Sequence, residues 1–315
     1  MKQRTSLLEQ DWPTSDRAAW ARALEPPTIL DDGGPAGNWS KASRNNAQWG
    51  YGRWLNFLAL SEPLALDLGI VERTTPERVR RYLAEGCAGV SATSRWNYCH
   101  ALYSAARVMA ANADWSWLKT LDARLAREMT PRDKRLRMVD PLRLIDLGIH
   151  LMDTALDAHI PTRHARENQF RDGLIIAFLA FRPIRRRNIA AIRIGRHLLR
   201  VGGGYKVVFS GEETKNKQPI EVKLPDILVP FIDRYLAEIR PGFPRASEHD
   251  GLWASEKGFP MGAGTIYDRV RLRTRKALGV AVNLHCIRDS AATFLADHDE
   301  EGLNNARDLL GHARL

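Results

Sequence analysis

Apolar positions along the chain repeat with two periods, and the switch between them outlines its organisation. Tyr51, Trp54, Leu55 and Leu58 stand at i, i+3, i+4 and i+7, one face of an α-helix. A second stripe, Val79, Tyr82 and Leu83, follows Thr75-Pro76-Glu77, where a threonine cap and a proline in the first turn predict a helix start. Trp96, Cys99, Tyr103 and Ala106 offer one face of a third helix from about Ser91 to Ala111. Together these stripes predict a small all-helical domain over residues 38–127.

Two polar stretches flank it. Residues 1–37 carry a short amphipathic helix around Ser15 to Leu24, then Glu25-Pro26-Pro27 and Asp31-Asp32-Gly33-Gly34-Pro35, which predicts an appendage on a flexible connection. Six basic residues between Arg124 and Arg137, interrupted by Thr130-Pro131, predict a basic linker over 128–139, either solvated or lying along a polyanion.

The second half, 140–315, mixes both periods. Helices are predicted from Leu142 to Leu156 and from Phe170 to Phe181. Alternation then takes over: Leu198 to Val201 and Tyr205 to Phe209 flank Gly202-Gly203-Gly204, a hairpin signal, and Ile220, Val222 and Leu224 alternate as a third strand. Helical spacing returns with Leu228, Phe231, Ile232, Tyr235 and Leu236, and continues over Ala263 to Leu278 and Leu284 to Ala296. The expected fold class is mainly α with a small antiparallel β-sheet.

Composition narrows the function classes. The longest apolar run, Leu174 to Phe181, is far too short to span a membrane, and Met1-Lys2-Gln3-Arg4 is not followed by the apolar stretch of a signal peptide. The reading is a soluble, cytoplasmic protein with no membrane partner. Three cysteines, Cys87, Cys99 and Cys286, share no metal-ligand spacing and are expected as buried thiols. A net charge of +10, from 47 Lys+Arg against 37 Asp+Glu, favours a polyanionic partner.

Four short segments carry candidate chemistry. His285-Cys286-Ile287-Arg288 sets a histidine and an arginine three apart on a predicted helix, able to meet one anion. Leu309-Leu310-Gly311-His312 ends a predicted helix at glycine with a histidine beyond it. Phe181-Arg182-Pro183-Ile184-Arg185-Arg186-Arg187-Asn188-Ile189 gathers arginines where a helix begins, against the preference of its dipole. Glu213-Thr214-Lys215-Asn216-Lys217 precedes the third strand. Each segment alone is ordinary surface chemistry.

In this order, over about residues 38–315, they resemble the tyrosine recombinase (phage integrase) family. Ile184 to Ile192 is similar to its first-arginine box, with Arg185 in the catalytic place and Arg182, Arg186 and Arg187 as competing assignments; Asn188 stands where most members have glutamate. Lys215, with Lys217 as fallback, matches the lysine-bearing hairpin, Leu284 to Thr293 the second-arginine box, and Leu309 to His312 the third.

The resemblance implies a helical core-binding domain, a catalytic domain, and site-specific recombination or integration through a 3′-phosphotyrosine, in the service of a mobile element. It also implies double-stranded DNA as partner, a homo-oligomer on DNA, and neither cofactor, metal nor small-molecule substrate. Arg185, Arg288 and His312 would bind the scissile phosphate, His285 would assist proton handling, and Lys215 would protonate the leaving oxygen. Further DNA contacts would come from Arg186, Arg187, Lys217, Arg269, Arg273 and Lys276, with Arg95 and Lys41 or Arg44 in the first domain.

The family's nucleophilic tyrosine lies beyond the third box, whereas the seven tyrosines here all precede the second; the sequence ends at Leu315. Phosphate recognition without cleavage by this chain alone is therefore expected, and a DNA-binding integrase remnant is the alternative. Type IB topoisomerases share the arginine, lysine and histidine chemistry, but the compact helical first domain favours integrases. His285-Cys286 does not open a cysteine-phosphatase loop, because position 292 is Ala292 rather than arginine.

Overall fold

The computed structural model describes residues 5–129, 137–157 and 164–298. The chain divides into two compact units, Met1–Arg132 and Asp133–Leu315.

The first unit is helical: α1 (Thr14–Ala23), α2 (Lys41–Ser61), α3 (Ile70–Arg73), α4 (Pro76–Arg81), α5 (Ala92–Met109) and α6 (Ser116–Arg127). Side-chain caps set three of the starts. Ser40, Thr75 and Ser91 accept from the backbone amides of Ser43, Arg78 and Ser94, each filling an amide orphaned at a helix start. Pro76 occupies the first turn of α4, as the sequence predicts, and α4 passes into a π-helical turn at Tyr82–Gly86. The α2 stripe of Tyr51, Trp54, Leu55 and Leu58 is fully buried.

Residues 5–37 correct an expectation: they are not an appendage. Trp12 and Trp20 are buried, and the Trp12 ring meets Trp20 and Tyr51 edge-on at centroid distances of 6.1 and 5.0 Å. Asp16 is wholly buried; it accepts from the Tyr51 hydroxyl at 2.8 Å and pairs with buried Arg73, which also donates to the Leu66 and Leu68 carbonyls. The proline and glycine stretch makes a tight return. Gly34 and Ala36 donate backwards to the Glu25 and Ala23 carbonyls at 2.9 and 2.8 Å, and a Cβ on Gly34 would sit 2.1 Å from the Arg22 carbonyl oxygen. Composition suggested flexibility here, where the glycine serves close backbone approach.

The second unit opens with α7 (Pro141–Asp157) and α8 (Ala165–Phe181). Gly148 and Gly173 let them nearly touch: a Cβ on either would lie 2.8 or 2.6 Å from the other's carbonyl oxygen. Packed on all sides, α8 buries Phe170 through Ala180, so the apolar run in the sequence is the centre of the core. A short α9 (Arg186–Ala191) leads to β1 (Leu198–Val201), β2 (Gly204–Phe209) and β3 (Ile220–Lys223), an antiparallel sheet of order β1-β2-β3 in which Val207 pairs with Leu198 and Val222. The turn needs only Gly202 and Gly203, at φ 56° and 82°; Gly204 already pairs with Val201. Then come α10 (Val229–Arg234), a π-helical turn at Tyr235–Ile239, α11 (Ala263–Leu278) closed by Gly279 at φ 74°, and α12 (Leu284–His298). Among the described residues no helix is long and apolar enough to cross a membrane, and all three cysteines are buried thiols. Mainly helical with one small antiparallel sheet, the fold is of the expected class.

Candidate active site

Where α8 ends, the chain runs extended through Arg185, which is the N-cap of α9 at φ −64°, ψ 148°. The arginine that seemed badly placed for the helix dipole therefore lies just outside the helix. Its Nη1 donates to Asn216 Oδ1 at 3.0 Å, joining it to the β2–β3 loop. Arg288, one turn into α12, is 8% exposed and donates to the Pro183 carbonyl, in the same extended segment. Burial, and next to it the Arg185 guanidinium, push Arg288 down to about 10, partly offset by Asp289. Two boxes far apart in sequence thus converge, with their positive charges close enough to repel.

The rival arginines go elsewhere. Arg182 donates to the Lys223 and Phe181 carbonyls, both at 2.9 Å, stitching the end of α8 to β3. Arg186 lies over the Tyr267 ring at 5.5 Å, with Arg271 at 5.3 Å from the same ring, so Tyr267 is held by packing. Arg187 is exposed on α9. Asn188 is buried and donates to the Glu213 carbonyl at 3.4 Å, so this amide ties α9 to the lysine-bearing loop.

Lys215 and Lys217 are both exposed on that loop, Lys217 with φ 55°. The loop is closed on itself: Thr214 Oγ1 donates to the Gln218 carbonyl at 2.7 Å, and Ser210 and Glu213 form a capping box. Two hydrogen bonds from Ser210 and one from buried His197 hold the Glu213 carboxylate. Its carboxyl is pulled down to about 2, first by the His197 hydrogen bond and then by the Ser210 amide.

His285 is exposed while Arg288, three residues on, is buried, and Cys286 and Ile287 pack into the core. His312 lies outside the described residues, as do linker residues 130–136. On α11, Arg269 and Arg273 turn to Asp172, at 2.6 and 2.9 Å, and Arg171 joins them at 3.0 Å. Burial raises the Asp172 carboxyl, but the three guanidiniums outweigh it and hold it below its ordinary value. Two of the expected DNA contacts therefore have a partner inside the protein, whereas Lys276 is exposed.

Sequence reasoning missed Asn216, Glu213, His197 and Asp172 as members of these networks. Asn216 and Glu213 flank the lysine and could have been flagged by position; His197 and Asp172 carry no local signal. Among the described residues no cluster of His, Cys, Asp and Glu could hold a metal ion.

The chain has relatives in sequence and in fold. The tyrosine recombinase XerD of Chlorobaculum tepidum is 26% identical over 170 residues, 54% of this chain and 54% of that protein. Over that stretch the chain is similar to a tyrosine recombinase, the family that its sequence motifs also resemble. It spans about half the length of the curated relative it matches. Two solved recombinases share its fold: XerH bound to palindromic difH substrate in a post-cleavage complex (TM-score 0.55, 16% identity, 87% of this chain and 78% of that one) and a lambda integrase(75-356) dimer bound to a COC′ core site (TM-score 0.51, 17% identity, 89% and 88%). No family model matches the chain. Among the described residues of the expected site, Arg185 caps α9, Lys215 lies in the β2–β3 loop, and His285 and Arg288 lie on α12.

Proposed function

We propose that this chain is a tyrosine recombinase that recognises a specific duplex DNA site and binds its scissile phosphate between Arg185 and Arg288, as part of strand exchange through a 3′-phosphotyrosine. The observation that carries the reading is the pair itself. A buried guanidinium beside a second one is electrostatically costly, and a doubly hydrogen-bonded anion between them removes the cost. Such a pair stabilises the pentacovalent phosphate more than the ground state, because charge gathers on the oxygens as the nucleophile attacks. Exposed Lys215 serves as proton donor to the departing 5′ oxygen, and His285 and His312 complete proton handling and phosphate contact. The attacking hydroxyl is assigned to none of the seven tyrosines in the sequence, and Tyr267, packed between Arg186 and Arg271, keeps a structural role.

Exposed Arg187, Lys217 and Lys276 contribute phosphate contacts that set affinity and its salt dependence rather than sequence choice. Selecting bound duplexes from a randomised pool, then titrating the winners against scrambled sequence, tests the reading. A site-specific recombinase enriches one core sequence and prefers it by ~10³-fold or more; equal affinity for all duplexes would reduce the protein to a non-specific DNA binder.

A further inference from the structure

The loop that presents Lys215 is fastened on both sides of the lysine, and the stronger fastening belongs to a residue with no part in the proposed chemistry. We propose that Glu213, gripped by His197, is a positioning residue for Lys215. This rests on the reading of Lys215 as the proton donor given above.

Every oxygen of Glu213 is engaged. Oε2 accepts from the Ser210 amide and hydroxyl, both at 3.1 Å; Oε1 accepts from His197 Nε2 at 3.0 Å and from Arg196 Nη2 at 2.6 Å; the backbone carbonyl accepts from Asn188. Arg196 is well exposed, so water screens its contribution. His197 is different. It is 4% exposed, stacks on Phe209 with ring centroids 4.4 Å apart, and its Nδ1 accepts the Arg193 amide at 3.1 Å. That acceptor role leaves the ring proton on Nε2, aimed at Glu213.

The carboxylate is thereby tied to the sheet core through a ring that cannot turn away. On the other side of the lysine, Asn216 is tied to Arg185. Lys215 thus sits two residues past one anchor and one residue before the other, with its side chain in solvent and its backbone fixed relative to the arginines. Proton donation to a leaving oxygen demands this, since a small misplacement of the donor costs a large factor in rate. A hairpin loop needed only to connect β2 to β3 would not require a buried histidine beneath it.

The test uses the full chain with Glu213→Ala, His197→Phe, the conservative Glu213→Gln, and Glu221→Ala as control, an exposed β3 residue paired with Lys206. Amide hydrogen exchange of residues 211–217 reads the anchor; acetylation of Lys215, with and without a nicked duplex oligonucleotide as probe, reads its placement. In the Ala and Phe variants loop exchange rises by about tenfold or more while α8 amides stay protected, and the duplex no longer shields Lys215 although it still binds. Glu213→Gln, which keeps an acceptor for His197, recovers part of the shielding, and Glu221→Ala matches wild type.

Unchanged loop exchange in both Ala and Phe variants overturns the proposal, as does a loosened loop with Lys215 still shielded. If the duplex binds wild type without shielding Lys215, or does not bind at all, the reading of Lys215 as a DNA-facing donor fails and the positioning role falls with it. Loop exchange, measured without DNA, tells that failure apart from absence of the anchor.

Discussion

Two buried arginines, one in each unit, meet different surroundings. Arg73 in the helical unit pairs with buried Asp16, touches the Tyr51 hydroxyl and donates to two carbonyls. Arg288 in the mixed unit donates to the Pro183 carbonyl, with the positive Arg185 and the negative Asp289 both close by. The Asp172 cluster, in the same unit as Arg288, resembles Arg73: three guanidiniums converge on a buried carboxylate. Around Arg73 and the arginines on Asp172, the protein supplies the counter-charge. At Arg288 a second positive charge, Arg185, is close enough to repel, with Asp289 offsetting part of the repulsion.

The contrast predicts opposite signs for charge-removing substitutions. Asp16→Ala should cost the first unit ~3–5 kcal/mol, because it strands a fully buried guanidinium; denaturant midpoints read this, and a loss under about 1 kcal/mol would mean the pair is dispensable. Asp172→Asn should cost about 2–4 kcal/mol by the same measurement, tempered by the partial exposure of Arg269 and Arg273. Arg288→Met should instead leave stability unchanged or raise it by up to ~2 kcal/mol, while DNA binding weakens; clear destabilisation would make Arg288 a structural arginine like Arg73.

The sign for Arg288→Met follows from the proton on Arg288. Its folded-state value, about 10, lies below the ordinary arginine range, so the folded state binds this proton less tightly than the unfolded one. The charge therefore weighs against folding, and any stability advantage of Arg288→Met traces to that burden.

Much of this was legible in the sequence. The stripe on α2, the cap at Thr75, the helix start near Ser91, the helix from Phe170 to Phe181 and the glycine hairpin are local signals, and the folded chain follows them. The four boxes stand out in the sequence because each is a short string of residues, and the last of them, Leu309 to His312, lies outside the described residues. The appendage reading failed because Trp12 and Trp20 find their partners on α2 and in each other, contacts that no window over residues 1–37 contains, while Pro and Gly mark tight returns as well as loose ones. Arg269 and Arg273 read as exposed for the same reason: Asp172 lies about a hundred residues away, beside Arg171 and just before the apolar run of Leu174 to Phe181. His197 beneath the lysine loop is likewise a product of sheet packing.

The proposed function has Arg185 and Arg288 bind one phosphate. The measurement that tests it most directly is the thermal stability of wild type, Arg185→Ala, Arg288→Met and the control Arg234→Ala in rising inorganic phosphate at constant ionic strength. Arg234 is exposed and pairs only with Glu238 along its own helix. Phosphate should stabilise wild type and Arg234→Ala by about 1–2 kcal/mol at tenfold excess over its dissociation constant, and should stabilise Arg185→Ala and Arg288→Met far less. An equal gain in all four proteins would contradict the account.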